Sequence, residues 1–342
     1  MRRVVLFIIS ALFLLDPVCA EQFYSFYCKS LHYTGAGMKY WYEKGFMKVT
    51  NIAYERLGCS QCHVKSCDIC HMIQKEEGCF FSLSKAKDQK TCLTCHGRER
   101  MTEEFDKKMN TLGIHHDMKC MDCHSGKDVH GTGKEYIARR DAVKTDCLFC
   151  HTGKGAAPVF EKKLRAHRIH KGKVDCLACH VSSSMVCYNC HFESFLKTRT
   201  EEGNFIPVKS WLLLINFKGK VTAGTVMTIV YKGKRFIAYA PFFTHSVRKG
   251  RSCRECHANK AMRLIKEGKK IPVVSYKDGR IISWKGVVPC VLENIKWTYF
   301  DKKEGRWIPL KEGKEVVQFT NYGEPLTERQ IRMLMKPFGG KR

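Results

Sequence analysis

Beyond its first twenty residues, this chain of 342 residues has no apolar run long enough to cross a bilayer, which takes roughly 20 apolar residues in succession. Membrane-spanning classes are therefore not expected. Acidic side chains are scarce: 33 Asp and Glu stand against 60 Lys and Arg, for a formal net charge of +27. Such a charge makes an attractive field for acidic proteins, anionic surfaces or anionic small molecules. No nucleic-acid-binding motif accompanies it, so no nucleic acid is expected as a partner. The chain opens with Met1, Arg2 and Arg3, an apolar run over 4–15, a break at Asp16 and Pro17, and the small-residue stretch Val18, Cys19 and Ala20. Residues 1–20 read as a secretory signal peptide, with Glu21 as the new N-terminus. The sequence thus predicts an exported protein, periplasmic or extracellular or at the cell surface, and not transmembrane after signal cleavage.

Cysteine is abundant, with twenty residues. In an exported chain that number ordinarily means a disulfide framework, but disulfide cysteines need no particular neighbour, and these have one. Two cysteines three apart, followed at once by histidine, occur eight times. The motifs hold Cys59, Cys62 and His63; Cys67, Cys70 and His71; Cys92, Cys95 and His96; Cys120, Cys123 and His124; Cys147, Cys150 and His151; Cys176, Cys179 and His180; Cys187, Cys190 and His191; and Cys253, Cys256 and His257. C-x-x-C-H is the pattern of covalent haem c attachment. Two thiols on one turn reach two vinyl groups on one porphyrin edge, and the adjacent imidazole turns under the ring to ligate iron. Zinc is the rival, because paired CxxC units also build tetrahedral sites. A zinc site has no use for His after every second Cys, so eight covalently attached haems c are expected.

On these motifs the chain resembles the multihaem c-type cytochromes, and in motif count their octahaem members. The resemblance covers roughly residues 28–257. It implies porphyrins stacked in close contact, electrons hopping along an iron chain, and His63, His71, His96, His124, His151, His180, His191 and His257 as proximal ligands. Seven histidines lie outside the motifs and are candidate distal ligands: His32, His115, His116, His130, His167, His170 and His245. His115 and His116 stand just before Cys120, His167 and His170 just before Cys176, and His245 eight residues before Cys253. Mostly bis-histidine, low-spin haems are therefore expected. Eight haems need eight distal ligands, one more than the histidines supply. The last position stays open between a methionine such as Met118, Met121 or Met185, a lysine, the thiol of Cys28 or Cys79, a histidine of a neighbouring subunit, and an open iron where catalysis could occur.

Successive motifs start 8, 25, 28, 27, 29, 11 and 66 residues apart. The short steps predict tight haem pairs at Cys59/Cys67 and Cys176/Cys187, and the even steps allow one short helix and a loop per haem. The expected fold class is haem-dominated, with little regular secondary structure and short α-helices around a stacked haem chain, followed by a C-terminal β-rich module. That module is read from WLLLINF at Trp211, GTVMTIVY at Gly224 and RFIAYA at Arg235, broken by KGK turns, and from later strand-like runs. Thr327 and Gln330 form a capping-box pattern that opens a short last helix. The expected domains are the signal peptide 1–20, a seven-haem region 21–200, and a β-rich module 201–342 carrying the eighth haem. Cys28, Cys79 and Cys290 are left over, with Cys28 and Cys79 as the expected disulfide.

The leading functional expectation is an electron-transfer protein rather than an enzyme. It is a respiratory carrier or conduit between redox partner proteins or to an external acceptor, with self-assembly into a filament or oligomer as one form. The alternative is an octahaem oxidoreductase, similar in haem number to the hydroxylamine-oxidising, nitrite-reducing and tetrathionate-reducing families. It would act on a small nitrogen or sulfur oxyanion at the one haem that is not bis-histidine. The chain is shorter than those enzymes usually are, and no CxxCK variant marks a specialised haem.

Overall fold

A computed structural model describes residues 26–57, 63–153, 157–199, 203–311, 313–319 and 323–336. The expected signal peptide 1–20, and Cys59 and Cys62 of the first motif, lie outside the described residues. The described chain falls into two compact units. One is built from the segments up to Tyr40, Tyr54–Cys92 and Lys119–Asp146; the other takes Trp41–Ala53, Leu93–Met118 and everything from Cys147 onward. Residues 147–199 thus share a unit with the β-rich module. No helix among the described residues is long and apolar enough to cross a membrane.

The first unit is made of short helices, among them Leu31–Thr34, Asp68–His71, Cys120–Cys123 and Gly126–His130, and one hairpin of β1 (Met72–Lys75) and β2 (Gly78–Phe81). Its apolar core is small, with Tyr27, Tyr54, Leu57 and Val64 buried. Polar ties supplement it. Asp128 accepts from the Ser125 and Lys144 backbone N–H groups at 2.9 and 3.0 Å and from Thr145 Oγ1 at 3.1 Å. One carboxylate thereby caps the helix Gly126–His130 and holds the 144–145 segment against it.

The second unit is organised by a seven-stranded sheet. Its members are β3 (Ser184–Tyr188), β4 (Cys190–His191), β5 (Ile206–Phe217), β6 (Lys220–Tyr231), β7 (Lys234–Pro241), a later short strand Gly286–Pro289, and a last strand Glu315–Phe319. The strands β5, β6 and β7 form two antiparallel hairpins whose two-residue turns are Lys218-Gly219 and Lys232-Gly233. All four turn residues have positive φ, between 46° and 81°, the mirror-image turn whose twist matches paired strands. The other neighbours arrive from far along the chain: Gly286–Pro289 runs parallel to β5 and Glu315–Phe319 parallel to β7.

WLLLINF is apolar on both faces because both faces of β5 are covered. Successive strand residues point to opposite sides, so Trp211, Leu213 and Ile215 enter one core with Tyr239, Val273 and Phe300, closed by the helices Lys260–Lys266 and Glu328–Met335. Leu212 and Leu214 enter a second core with Ala223 and Phe242. Against that second core pack Met101 and Phe105 of the helix Gly97–Met109, Leu177 and Cys256. Two C-x-x-C-H motifs are thus seated directly on the sheet.

The expected fold class requires correction. Helix accounts for about 37% of the described residues and strand for about 28%, with several multi-stranded sheets, so the fold is not one of little regular structure dominated by haem. Two causes are visible. Most motif turns are themselves helical, and the sheet makes an apolar core from protein side chains alone. Cys28 and Cys79 are free thiols rather than the expected disulfide; Cys79, on β2, donates to Gln74 Oε1 at 2.8 Å.

Candidate functional site

The motif histidines and the non-motif histidines meet in pairs. His71 faces His130 with ring centres 6.1 Å apart. His115 faces His151 at 6.2 Å, His167 faces His180 at 6.3 Å, and His170 faces His257 at 6.1 Å. Each pair joins one attachment histidine to one histidine outside the motifs, and all eight rings are half-buried. Two imidazoles ligating one iron from opposite sides, each at about 2 Å, place their ring centres roughly 6 Å apart. Four of the expected haem positions therefore have the spacing of a bis-histidine axial pair.

The rings are also oriented. The Nδ1 of His151 donates to the Pro158 carbonyl at 2.6 Å, that of His167 to Glu161 at 2.8 Å, that of His180 to Arg248 at 3.1 Å and that of His257 to Leu334 at 2.8 Å. A metal-binding imidazole is typically held this way, with one nitrogen on a carbonyl and the other turned to the metal. Burial pushes His115, His130 and His170 below the ordinary histidine range, and the facing imidazole adds to the shift. Both effects favour the neutral form, which is the form that ligates.

The anchoring thiols lie close across motifs. Cys92 is hydrogen-bonded by Cys120, with Cys70 beside it. Cys176 is pulled down to about 6 by a hydrogen bond from Cys147, and Cys179 sits near Cys253 and Cys256. Each unit therefore contains a ladder of neighbouring motifs, and in the second unit the step from 176–180 leads directly to 253–257. Arg251 fixes that step. Its guanidinium donates to the Val181 and Ser182 carbonyls and pairs with Glu255 at 3.2 Å. Nothing in the sequence linked Arg251 to 181–182; only its place two residues before Cys253 pointed to it.

Large exposed apolar side chains sit in and beside these motifs. Ile69, Leu148 and Phe149 occupy the x positions of two of them, and Phe81, Ile114, Met118 and Ile169 lie nearby. Phe149 is 78% exposed. A porphyrin plate is the kind of surface that would cover such residues.

The remaining expected ligands are placed as follows. His32 Nδ1 donates to the Val129 carbonyl at 2.9 Å. His116 Nδ1 donates to Gly113 at 2.9 Å while Nε2 lies 3.2 Å from Asp117. His96 and His124 each have a carboxylate at 4.0 Å, Glu99 and Asp128 respectively. His245 is exposed. His63 Nε2 lies 3.1 Å from the hydroxyl of buried Tyr54, a neighbour that sequence reasoning missed. His191 is buried and has side-chain partners at both ring nitrogens: Nε2 lies 3.2 Å from Asp301 Oδ1 and Nδ1 lies 3.0 Å from Ser194 Oγ. Among the described residues, no three His, Cys, Asp or Glu side chains gather as a metal cage; the imidazoles meet in twos, as suits an iron whose other four ligands come from a porphyrin. No family model, curated protein or solved structure matches the chain.

Proposed function

We propose that this chain is an exported multihaem c-type cytochrome that passes electrons between redox partners. The observation that carries the reading is the set of four facing imidazole pairs, each uniting a C-x-x-C-H histidine with a histidine outside the motifs. Haem, when bound, supplies a one-electron Fe(III)/Fe(II) couple.

The protein's part is to hold and enclose. Paired cysteines would anchor each haem. In each of the four pairs both facing imidazoles would ligate its iron, which would leave no open site for a substrate at those four positions. The Nδ1–carbonyl bonds fix ring orientation and raise ligand basicity. Neighbouring thiols, as at Cys147 and Cys176, set successive groups side by side. The excess of Lys and Arg draws in acidic partner proteins or anionic surfaces and pairs with haem propionates.

The test is anaerobic reduction of the purified holoprotein, followed by nitrite, hydroxylamine or tetrathionate. A carrier keeps its ferrous haem spectrum with all three and is reoxidised by an acceptor protein. Catalytic reoxidation by one of the small molecules would instead establish the oxidoreductase, and a purified protein without haem absorbance would end both readings.

A further inference from the structure

The motif at 187–191 does not have the shape of the others. Among the motifs whose cysteines are described, the rest run through a helical turn or a plain turn, as in Cys120–Cys123, Cys147–Cys150, Cys176–His180 and Cys253–His257. In three of them the histidine N–H closes back on the first cysteine: His71 on the Cys67 carbonyl at 2.9 Å, His124 on Cys120 at 2.9 Å, His151 on Cys147 at 3.1 Å. At the seventh motif, Cys187 and Tyr188 belong to β3, Asn189 takes φ 55°, and Cys190 and His191 form β4. The His191 N–H donates to the Asn204 carbonyl at 2.6 Å instead. One helical turn is what brings two thiols to the two vinyl groups of one ring, and this backbone does not make it.

The surroundings are closed as well. Tyr188 and Asn189, the two residues between the cysteines, are 0% exposed. Tyr188 Oη donates to the Thr298 carbonyl, and the Asn189 side chain both donates to the Phe300 carbonyl and accepts from its N–H, each at 2.7 Å. Neither Cys187 nor Cys190 is exposed, whereas every other described motif exposes at least one cysteine. His191 is buried, and where an axial iron would lie it meets the Asp301 carboxylate. His63 and His116 also meet side-chain partners, but the first is a single hydroxyl that can rotate away and the second is the Asp117 carboxylate, 90% exposed and free to turn into solvent, whereas His191 is buried.

The geometry points to a thiol site here rather than a haem site: Cys187 and Cys190 attach no porphyrin, His191 ligates no iron, and the chain carries seven haems. This rests on the haem c reading of the other motifs. It removes the shortfall in ligands, because seven histidines outside the motifs then serve seven attachment histidines, His63 included. Cys187 and Cys190 remain as a cysteine pair three residues apart, one on β3 and one on β4, open to thiol reagents once the sheet is unfolded.

Peptide mass mapping of the reduced, unfolded and alkylated holoprotein decides it. No Lys or Arg stands between Val174 and Lys197, so trypsin leaves both the sixth and seventh motifs on one peptide. The expected peptide carries one haem and two alkyl groups, within a whole-protein total of seven haems. That haem is expected to persist in the Cys187→Ser/Cys190→Ser variant and to disappear in Cys176→Ser/Cys179→Ser. Two haems on the peptide, or loss of a haem from the first variant, overturns the inference while leaving the proposed function standing. No haem on any peptide removes the proposed function itself, and the inference with it. Mapping the wild-type chain gives the answer even if neither variant folds.

Discussion

His170 and His257 face each other with ring centres 6.1 Å apart and ring planes 13° apart, although the sequence between them holds two entire motifs and three long strands. One ring comes from the helix Arg165–His170 and the other from the motif helix Cys253–His257, whose Nδ1 is held by the Leu334 carbonyl of the last helix. Replacing one member of such a pair changes one metal site and leaves the others alone. The His170→Met variant is expected to keep a low-spin spectrum and to raise the potential of a single haem, since methionine–histidine ligation lies above bis-histidine. A spectroelectrochemical titration that shows every potential unchanged would refute the pairing.

A second expectation concerns the tie between the helix Gly97–Met109 and the sheet. Asp106 and Lys209 form an ion pair with both side chains almost wholly buried, and Asp106 also accepts from Thr111 Oγ1 at 2.9 Å. Removing one partner leaves an uncompensated buried charge. Asp106→Ala is expected to cost about 3–5 kcal/mol. The double variant Asp106→Leu/Lys209→Met should recover most of it, because a well-packed apolar pair can replace a buried ion pair. Denaturant unfolding of the two variants checks both halves. A single variant within 1 kcal/mol of wild type, on the order of a surface pair, would show the charges to be solvated.

What could be read from the sequence follows from how local each signal is. Lys218-Gly219 and Lys232-Gly233 declared the hairpins because a two-residue turn is decided by the residues within it. Thr327 and Gln330 declared the last helix because a capping box closes over three residues, and Gln330 N–H does donate to Thr327 Oγ1. The parallel additions of Gly286–Pro289 to β5 and of Glu315–Phe319 to β7 carry no local mark. The same divide runs through the site. Clustering with the motifs singled out His115, His167 and His170, yet His115 meets His151 rather than the nearer His124, and His170 meets His257 rather than His180. Those choices are made by the path of the chain around the sheet.

Cys290 offers a check on the sheet core. It is fully buried beside Val288 and Val291, and burial pushes its thiol up to about 12. The reactive thiolate is therefore scarce at any pH below that value. In the folded protein at pH 8, iodoacetamide is expected to modify Cys79, which is exposed on β2, and to leave Cys290 intact until denaturant opens the core. Equal labelling of the two in native buffer would contradict the packing described.

Haem attachment should matter unequally along the chain. Phe81, Leu83 and Phe149 stand between 68% and 78% exposed around the motifs, whereas the sheet buries Trp211, Leu213 and Ile215 without help. A chain made in cells lacking the haem-attachment machinery is expected to be cut by protease near the motifs at 67–71 and 147–151 and to resist within 206–241. Uniform resistance, or uniform digestion, would show that the two regions do not differ in this way.

The most direct measurement is low-temperature EPR of the fully oxidised holoprotein. Facing imidazoles on both sides of iron give low-spin ferric signals, and those are the expected spectrum, unshifted by nitrite or tetrathionate. A dominant high-spin signal that moves when either oxyanion is added would contradict the bis-histidine electron carrier.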